Sequence, residues 1–208
     1  MRDSIAPASE GPTSIVAPEV KGSIIRALVA VLADRRLLDP VGERVSPAAR
    51  ALLVEPPLQT MWVDARISIE IYQAILEVAG PDQLRAISRE SIARGLVPLL
   101  RTTIERVLAV FGASPAMLLA RLDRAAGGTS KGMVYRYTPI DDTSGDFDME
   151  IPALTDVPLG PFVSTGGALE LIFEMCGARG VFSEPRMVPN GKNNRMYYRV
   201  AWRPVTRR

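Results

Sequence analysis

The chain has 208 residues, 47% of them hydrophobic, enough to bury one substantial core at the usual size of a single domain. Its 25 basic and 23 acidic side chains nearly cancel and lie scattered along the sequence, which argues against a nucleic-acid surface. There is no histidine, so imidazole bases, imidazole metal ligation and proximal-histidine haem binding are excluded, and the single Cys176 rules out an intrachain disulfide or a multi-cysteine metal cluster.

In chain order, residues 1–18 carry Pro7, Pro12 and Pro18 among small polar residues and read as a tail, disordered or held by a partner. From Glu19 the spacing of Val20, Ile24, Leu28, Val31 and Leu32 predicts a helix ending before Pro40, and Ser46-Pro47 predicts the cap and first turn of another. After Pro56-Pro57 and the aromatic Trp62, Ser68 reads as the cap of a helix carrying Ile71, Tyr72, Ile75 and Leu76. Gly80-Pro81 ends that helix and starts the next, whose stripe of Leu84, Ile87, Ser88, Ser91, Ile92 and Gly95 is small enough for close backbone approach. Pro98 breaks the pattern before an apolar run bearing Arg101, and Ser114-Pro115 opens a further helix with Met117, Leu118 and Leu122.

The character changes at Gly127-Gly128. Lys131 to Thr138 and Asp146 to Ile151 read as strands joined by an Asp-rich turn. A proline-rich connection through Pro152, Pro158 and Pro161 leads to a short apolar helix, opened by Gly166-Gly167 and closed by Gly177. Arg179 to Glu184 and Arg195 to Trp202 form a closing hairpin turning at Asn190-Gly191, with Met196, Tyr198, Val200 and Trp202 on one apolar face. The expectation is an α+β fold: a helical N-terminal two thirds packed on a small antiparallel sheet, with a C-terminal helix and β-hairpin. It forms one domain over residues 19–203, followed by a basic tail at 204–208. No signal core or run of apolar residues long enough to span a bilayer is present, so the expected location is cytoplasmic.

Several landmarks in their order resemble an uncharacterised family abundant in myxobacteria, itself similar to the superfamily joining vinyl-reductase-type domains to haem-nitric-oxide-binding domains. They run from Val20-Lys21-Gly22 and Arg26, through Trp62 and Tyr72, to Gly166, Leu169, Glu170, Cys176-Gly177-Ala178-Arg179 and Tyr198-Arg199-Val200-Ala201-Trp202. The resemblance covers nearly the whole chain after the tail. It implies a helical layer over a curved antiparallel sheet with a cavity between them, used for sensing and binding rather than turnover. Neither the haem-ligating histidine nor the cysteine-rich pattern of some relatives is present, so no cofactor is carried over.

Trp62, Tyr72, Tyr135 and Tyr137 are candidates to line a ligand cavity, since an aromatic ring gives broad apolar contact and a tyrosine or tryptophan adds a polar tip. Arg101 and Arg136 are candidates to hold an anionic group. The same aromatics serve equally as core and the arginines as solvated charges. Ser88, Ser91 and Gly95 are candidates for an interface with another chain. The glycine-rich stretch Gly127–Gly132 lacks phosphate-loop spacing, and Thr165-Gly166-Gly167 would offer backbone donors if it opens a helix. Ser88 and Ser91 have no histidine to activate them and no lysine close in sequence.

Three readings follow. The first is a non-enzymatic small-ligand-binding or regulatory, sensory domain for a small apolar or weakly anionic ligand, without haem, metal, nucleic acid or membrane. The second is a self-associating structural or interaction protein, and the third is an enzyme working through carboxylates alone.

Overall fold

The structure, a computed structural model, describes residues 16–95, 114–188 and 191–205. The chain enters through β1 (Glu19–Lys21), which runs directly into α1 (Gly22–Asp34). A helix beginning at Glu19 was the expectation from spacing. Val20 is instead the centre of a three-stranded sheet ordered β2-β1-β3, with β2 (Trp62–Asp64) and β3 (Ser130–Lys131) pairing antiparallel on either side. Backbone pairing from two distant segments outweighs a local apolar period that three residues cannot sustain.

Next come two short helices, α2 (Leu38–Gly42) and α3 (Pro47–Val54). Ser46 accepts the Ala49 N–H at the start of α3, as the Ser-Pro pair requires, and its hydroxyl donates to the Glu70 carboxylate. The long α4 (Ala65–Gly95) is two helical halves joined at Gly80, whose φ of 79° and ψ of 171° only glycine adopts without strain. Its first turn is held by the Asp64 carboxylate, which accepts the Arg66 N–H at 2.9 Å; Ser68, expected as the cap, lies inside the helix and donates to the Ala65 carbonyl. Ile25, Leu28, Leu32, Ile71, Ile75, Leu84 and Ile87 interlock between α1 and α4 and form the first of two cores.

Among the described residues the remaining helices are α5 (Pro115–Ala120), α6 (Leu122–Ala126), α7 (Leu159–Leu169) and α8 (Leu171–Met175). Here the sequence reading placed a boundary wrongly. Gly166 and Gly167 do not open a helix but sit inside α7, which begins eight residues earlier than Gly167, at Leu159, with Pro158 and Pro161 in the positions that a helix start tolerates. The reason is tertiary: a Cβ on Gly167 would lie 2.5 Å from the Arg85 backbone, and one on Gly160 would lie 2.6 Å from the backbone of Tyr72 and Gln73. The two glycines let α7 lie directly against both halves of α4. Thr165-Gly166-Gly167 therefore has no free backbone donors to offer an anion.

The larger sheet is wholly antiparallel, in the order β4 (Val134–Asp141), β5 (Ser144–Glu150), β8 (Arg195–Pro204), β6 (Ala178–Phe182), and the short β7 (Arg186–Met187) also pairs with β8. Its inner face carries Phe147, Met149, Met196, Tyr198, Val200 and Trp202, all buried against Phe162, Phe173 and Phe182 in the second core. Its outer face is a charged ladder, Arg136–Glu150, Arg195–Asp148 and Arg199–Asp146. Strand alternation thus assigns one side to the helices and the other to water. No helix among the described residues is long and apolar enough to cross a membrane.

Candidate functional site

Between the two cores lies a cavity of about 270 Å³. Residues of β1, α1, both halves of α4, the small helices α5 and α6, β3, β4 and β5, and the facing sides of α7 and α8 line it. Its wall is mainly aliphatic, with Ile24, Ile69, Ile92, Leu169 and Ile172 joined by Met133, Met149 and Met175. Polar atoms on the wall come from hydroxyl groups, and among the described lining residues none is charged.

Most of these hydroxyls direct their protons to nearby backbone. Ser91 donates to the Ile87 carbonyl at 2.8 Å, Thr165 to Pro161 at 2.9 Å and Thr129 to Ala126 at 3.0 Å, the back-bonding that lets a hydroxyl sit on an apolar surface. Two groups differ. Ser88 on α4 donates across to Ser164 on α7 at 2.8 Å, on the same wall as Tyr72. The Tyr135 hydroxyl donates to the Met133 sulfur at 3.4 Å. Burial pushes the Tyr72 phenol up to about 12, partly countered by Ser164, and burial likewise raises that of Tyr135. Both stay neutral donors throughout the physiological range.

Among the sequence candidates, Tyr72 and Tyr135 meet at this cavity. Trp62 is elsewhere, on β2, where the ammonium groups of Lys21 and Lys131 stand 4.1 and 3.9 Å from its ring centre. Tyr137, farther along β4, donates to the Ser144 carbonyl and is not on the wall. Arg136 points to the outer face and pairs with Glu150 at 2.9 Å, because β4 alternates faces and its neighbour Tyr135 takes the inner one. Arg101 lies outside the described residues. Ser88 and Ser91, expected at an interface with another chain, are buried and line the cavity; Gly95 packs on α1, where a Cβ would come within 2.8 Å of Ala27. The stripe does admit a close neighbour, but it belongs to the same chain.

Ser164 was missed by sequence reasoning. Its signal was a Ser-Thr pair following Pro158 and Pro161, which reads as a connection unless the helix is known to start before them.

No family model matches the chain, and no curated protein does. Solved structures do. The Fe(II) unliganded H-NOX protein from K. algicida aligns with a TM-score of 0.63 at 9% identity, covering 90% of this chain and 99% of that one. This chain has the H-NOX fold. An oxygen-binding H-NOX domain related to soluble guanylate cyclases, in its oxygen complex, aligns at 0.57 with 14% identity over 90% of this chain and 98% of that one. A structure concerned with haem redox potential modulated by protein-induced porphyrin distortion aligns at 0.55 with 13% identity, over 87% and 99% respectively. The H-NOX-like architecture was expected from the order of landmarks, and the structural likeness supports that expectation of fold.

The fold raises the question of haem, and the donor set answers it. Haem iron is held by histidine, by cysteine thiolate, by methionine paired with histidine, or by tyrosinate. The chain contains no histidine. Its one cysteine, Cys176, is not on the cavity wall, and burial pushes its thiol up to about 11. Tyr72 and Tyr135 are on the wall, but no cationic side chain among the described lining residues stands by either phenol to favour tyrosinate. Residues 96–113, outside the described residues, contain no histidine, cysteine, tyrosine or methionine. The propionates would find no cation among the described lining residues. These residues do not fit haem.

Proposed function

We propose that this H-NOX-like protein is a sensory or ligand-binding domain that takes an uncharged, mainly apolar small molecule directly in its interior cavity, without haem and without turning it over. The cavity wall carries the reading: it is apolar, dotted with neutral hydroxyls and free of charged side chains among the described lining residues, so transferring a carboxylate or phosphate there would leave the charge uncompensated. Ser88 donates to Ser164, and with no histidine in the chain to draw off a proton the pair favours binding over nucleophilic chemistry. An engineered apolar cavity of about 150 Å³ accommodates benzene, so the larger space here suits a compound of roughly two-ring size. We infer that the domain works in the cytoplasm and passes occupancy of the cavity to a protein partner.

The test is a paired titration of the purified protein with the neutral dye N-phenyl-1-naphthylamine and with haemin. Saturable dye fluorescence at one site per chain, with no saturable Soret shift, is the expected result. A stoichiometric Soret band, or a dye signal that never saturates, refutes the reading.

A further inference from the structure

We propose that the free edge of β6 is the docking site of a protein partner, which adds an extended segment antiparallel to β6 with an acidic side chain opposite Arg179 and an apolar one opposite Val181. This edge is not part of the cavity wall, and the assignment stands apart from the ligand reading above. It starts from the charges on the outer face of the larger sheet. Arg136, Arg195 and Arg199 are each matched there by a carboxylate of β5. At the β6 end the matching stops. Arg179 stands directly opposite Arg203 on β8, both are exposed, and neither has an ion pair or hydrogen bond among the described residues. Like charges set opposite each other across a strand pair repel. β6 reads Ala-Arg-Gly-Val-Phe and carries no carboxylate, so an acidic partner supplies the counter-charge that the strand lacks, while a second copy of β6 would not. Next to the arginine pair, Val181 is 56% exposed and faces Ala201, an apolar spot on an otherwise charged surface.

The backbone of β6 is open to such an addition. It is the last strand of the sheet, and the Ser183 N–H donates to the Arg199 carbonyl at 2.8 Å and the Val205 N–H to the Gly177 carbonyl at 3.0 Å. The odd-numbered positions therefore spend their backbone groups on β8, and by alternation those of Ala178 and Gly180 and the Phe182 N–H point away from it. No strand among the described residues takes them; the Phe182 carbonyl alone is used, accepting from Arg85 at 2.7 Å. The opposite edge is blunted, since on β4 the Asp123 carboxylate accepts the Tyr135 N–H at 3.1 Å and Pro139 has no proton to give. Every strand pair in this sheet is antiparallel, so an added strand continues the pattern. Its residue opposite Gly180 would exchange both hydrogen bonds, and those opposite Val181 and Arg179 would sit at the positions where side chains approach most closely. The partner thus reads apolar, any residue, acidic, from N to C terminus.

Fluorescence anisotropy of the fluorescein-labelled peptide Ser-Thr-Val-Thr-Glu-Thr-Ser with the full-length protein tests this. Saturable binding is expected, roughly fivefold to tenfold tighter than for the same peptide with Lys in place of Glu, the range of an attractive cross-strand charge pair exchanged for a repulsive one. Arg179→Glu should reverse the order of the two peptides. N-methylation of the central Thr, whose N–H meets the Gly180 carbonyl, should remove binding, whereas N-methylation of Glu, whose N–H points away from β6, should leave it within about twofold. Absence of saturable binding, equal affinity for the Lys peptide, or an unchanged order in Arg179→Glu overturns the acidic partner. Full binding by the peptide methylated at the central Thr overturns strand addition. So does a dimer by light scattering that the peptide dissociates, since a second copy then occupies the edge. Should Arg179→Glu not fold, the peptide series on wild type still decides.

Discussion

Gly167→Ala is the sharpest test of the way α7 lies on α4, because two effects of opposite sign compete. In a helix interior the added methyl favours the folded state by up to about 1 kcal/mol through backbone entropy. Here the new Cβ would lie 2.5 Å from both the Arg85 Cα and its carbonyl oxygen, backbone atoms that cannot swing aside as a side-chain tip can. Overpacking of this kind costs about 1–3 kcal/mol, and contact with backbone on a packed helix belongs at the upper end, so the net loss is about 2 kcal/mol. For a chain of this length that lowers Tm by roughly 4–8 °C. Thermal melting followed by circular dichroism measures it, with Gly128→Ala as control, since nothing lies within 4 Å of that site. A Gly167→Ala protein that melts at or above the wild-type temperature would show that α7 and α4 do not approach as described. The cavity they enclose would then need a different wall.

The remaining expectations concern titration and buried polar contacts. All five tyrosines have raised phenols: burial dominates for Tyr72, Tyr135, Tyr137 and Tyr198, and hydrogen bonding to Asp146 dominates for Tyr197. The phenolate absorbance rise at 295 nm should therefore come at higher pH in the native protein than in the unfolded chain, with Tyr72 titrating near 12. Unfolded tyrosines release their protons near pH 10 while the buried Tyr72 and Tyr198 keep theirs, so stability should fall as pH rises from 10 towards 12; titration of all five at the unfolded value would contradict the burial. Tyr198→Phe removes a buried hydroxyl that donates to the Phe162 carbonyl at 2.8 Å, and urea unfolding should register a loss of about 1 kcal/mol. Arg85 pairs with Glu170 and donates to the Phe182 carbonyl at 2.7 Å, with its side chain only 11% exposed, tying α4 to α7 and β6. Arg85→Ala strands a largely buried carboxylate and should cost about 3 kcal/mol by the same urea assay, whereas Arg66→Ala, at an exposed pair with Asp64, should cost under about 1 kcal/mol.

Much of the architecture was legible because local chemistry left few options. The Gly80-Pro81 break, the Ser46-Pro47 helix start, the strands through Tyr135 and Phe147, and the alternation of Met196, Tyr198, Val200 and Trp202 each follow from backbone permissiveness or a period of two. Where reading failed, the deciding contact came from far along the chain. Trp62 looked like a cavity aromatic, yet its place is set by β1, whose Lys21 pairs with it in register, and by Lys131 on β3. Arg136 could be turned outward only by knowing which face of β4 meets the helices.

The absence of histidine excluded imidazole-ligated haem from sequence alone, because no folding can supply a side chain the chain does not have. A period of two also settled which residues of the last strand face inward. Whether the helices and sheet close up completely or leave a space between them depends on how α7 is spaced from α4, and that spacing is set by glycines meeting backbone about 80 residues away. It is equally tertiary structure that brings Tyr72, Ser88 and Ser164 to one cavity wall and pairs the two serines, since a hydroxyl's partner is chosen by distance in space, which local sequence does not encode.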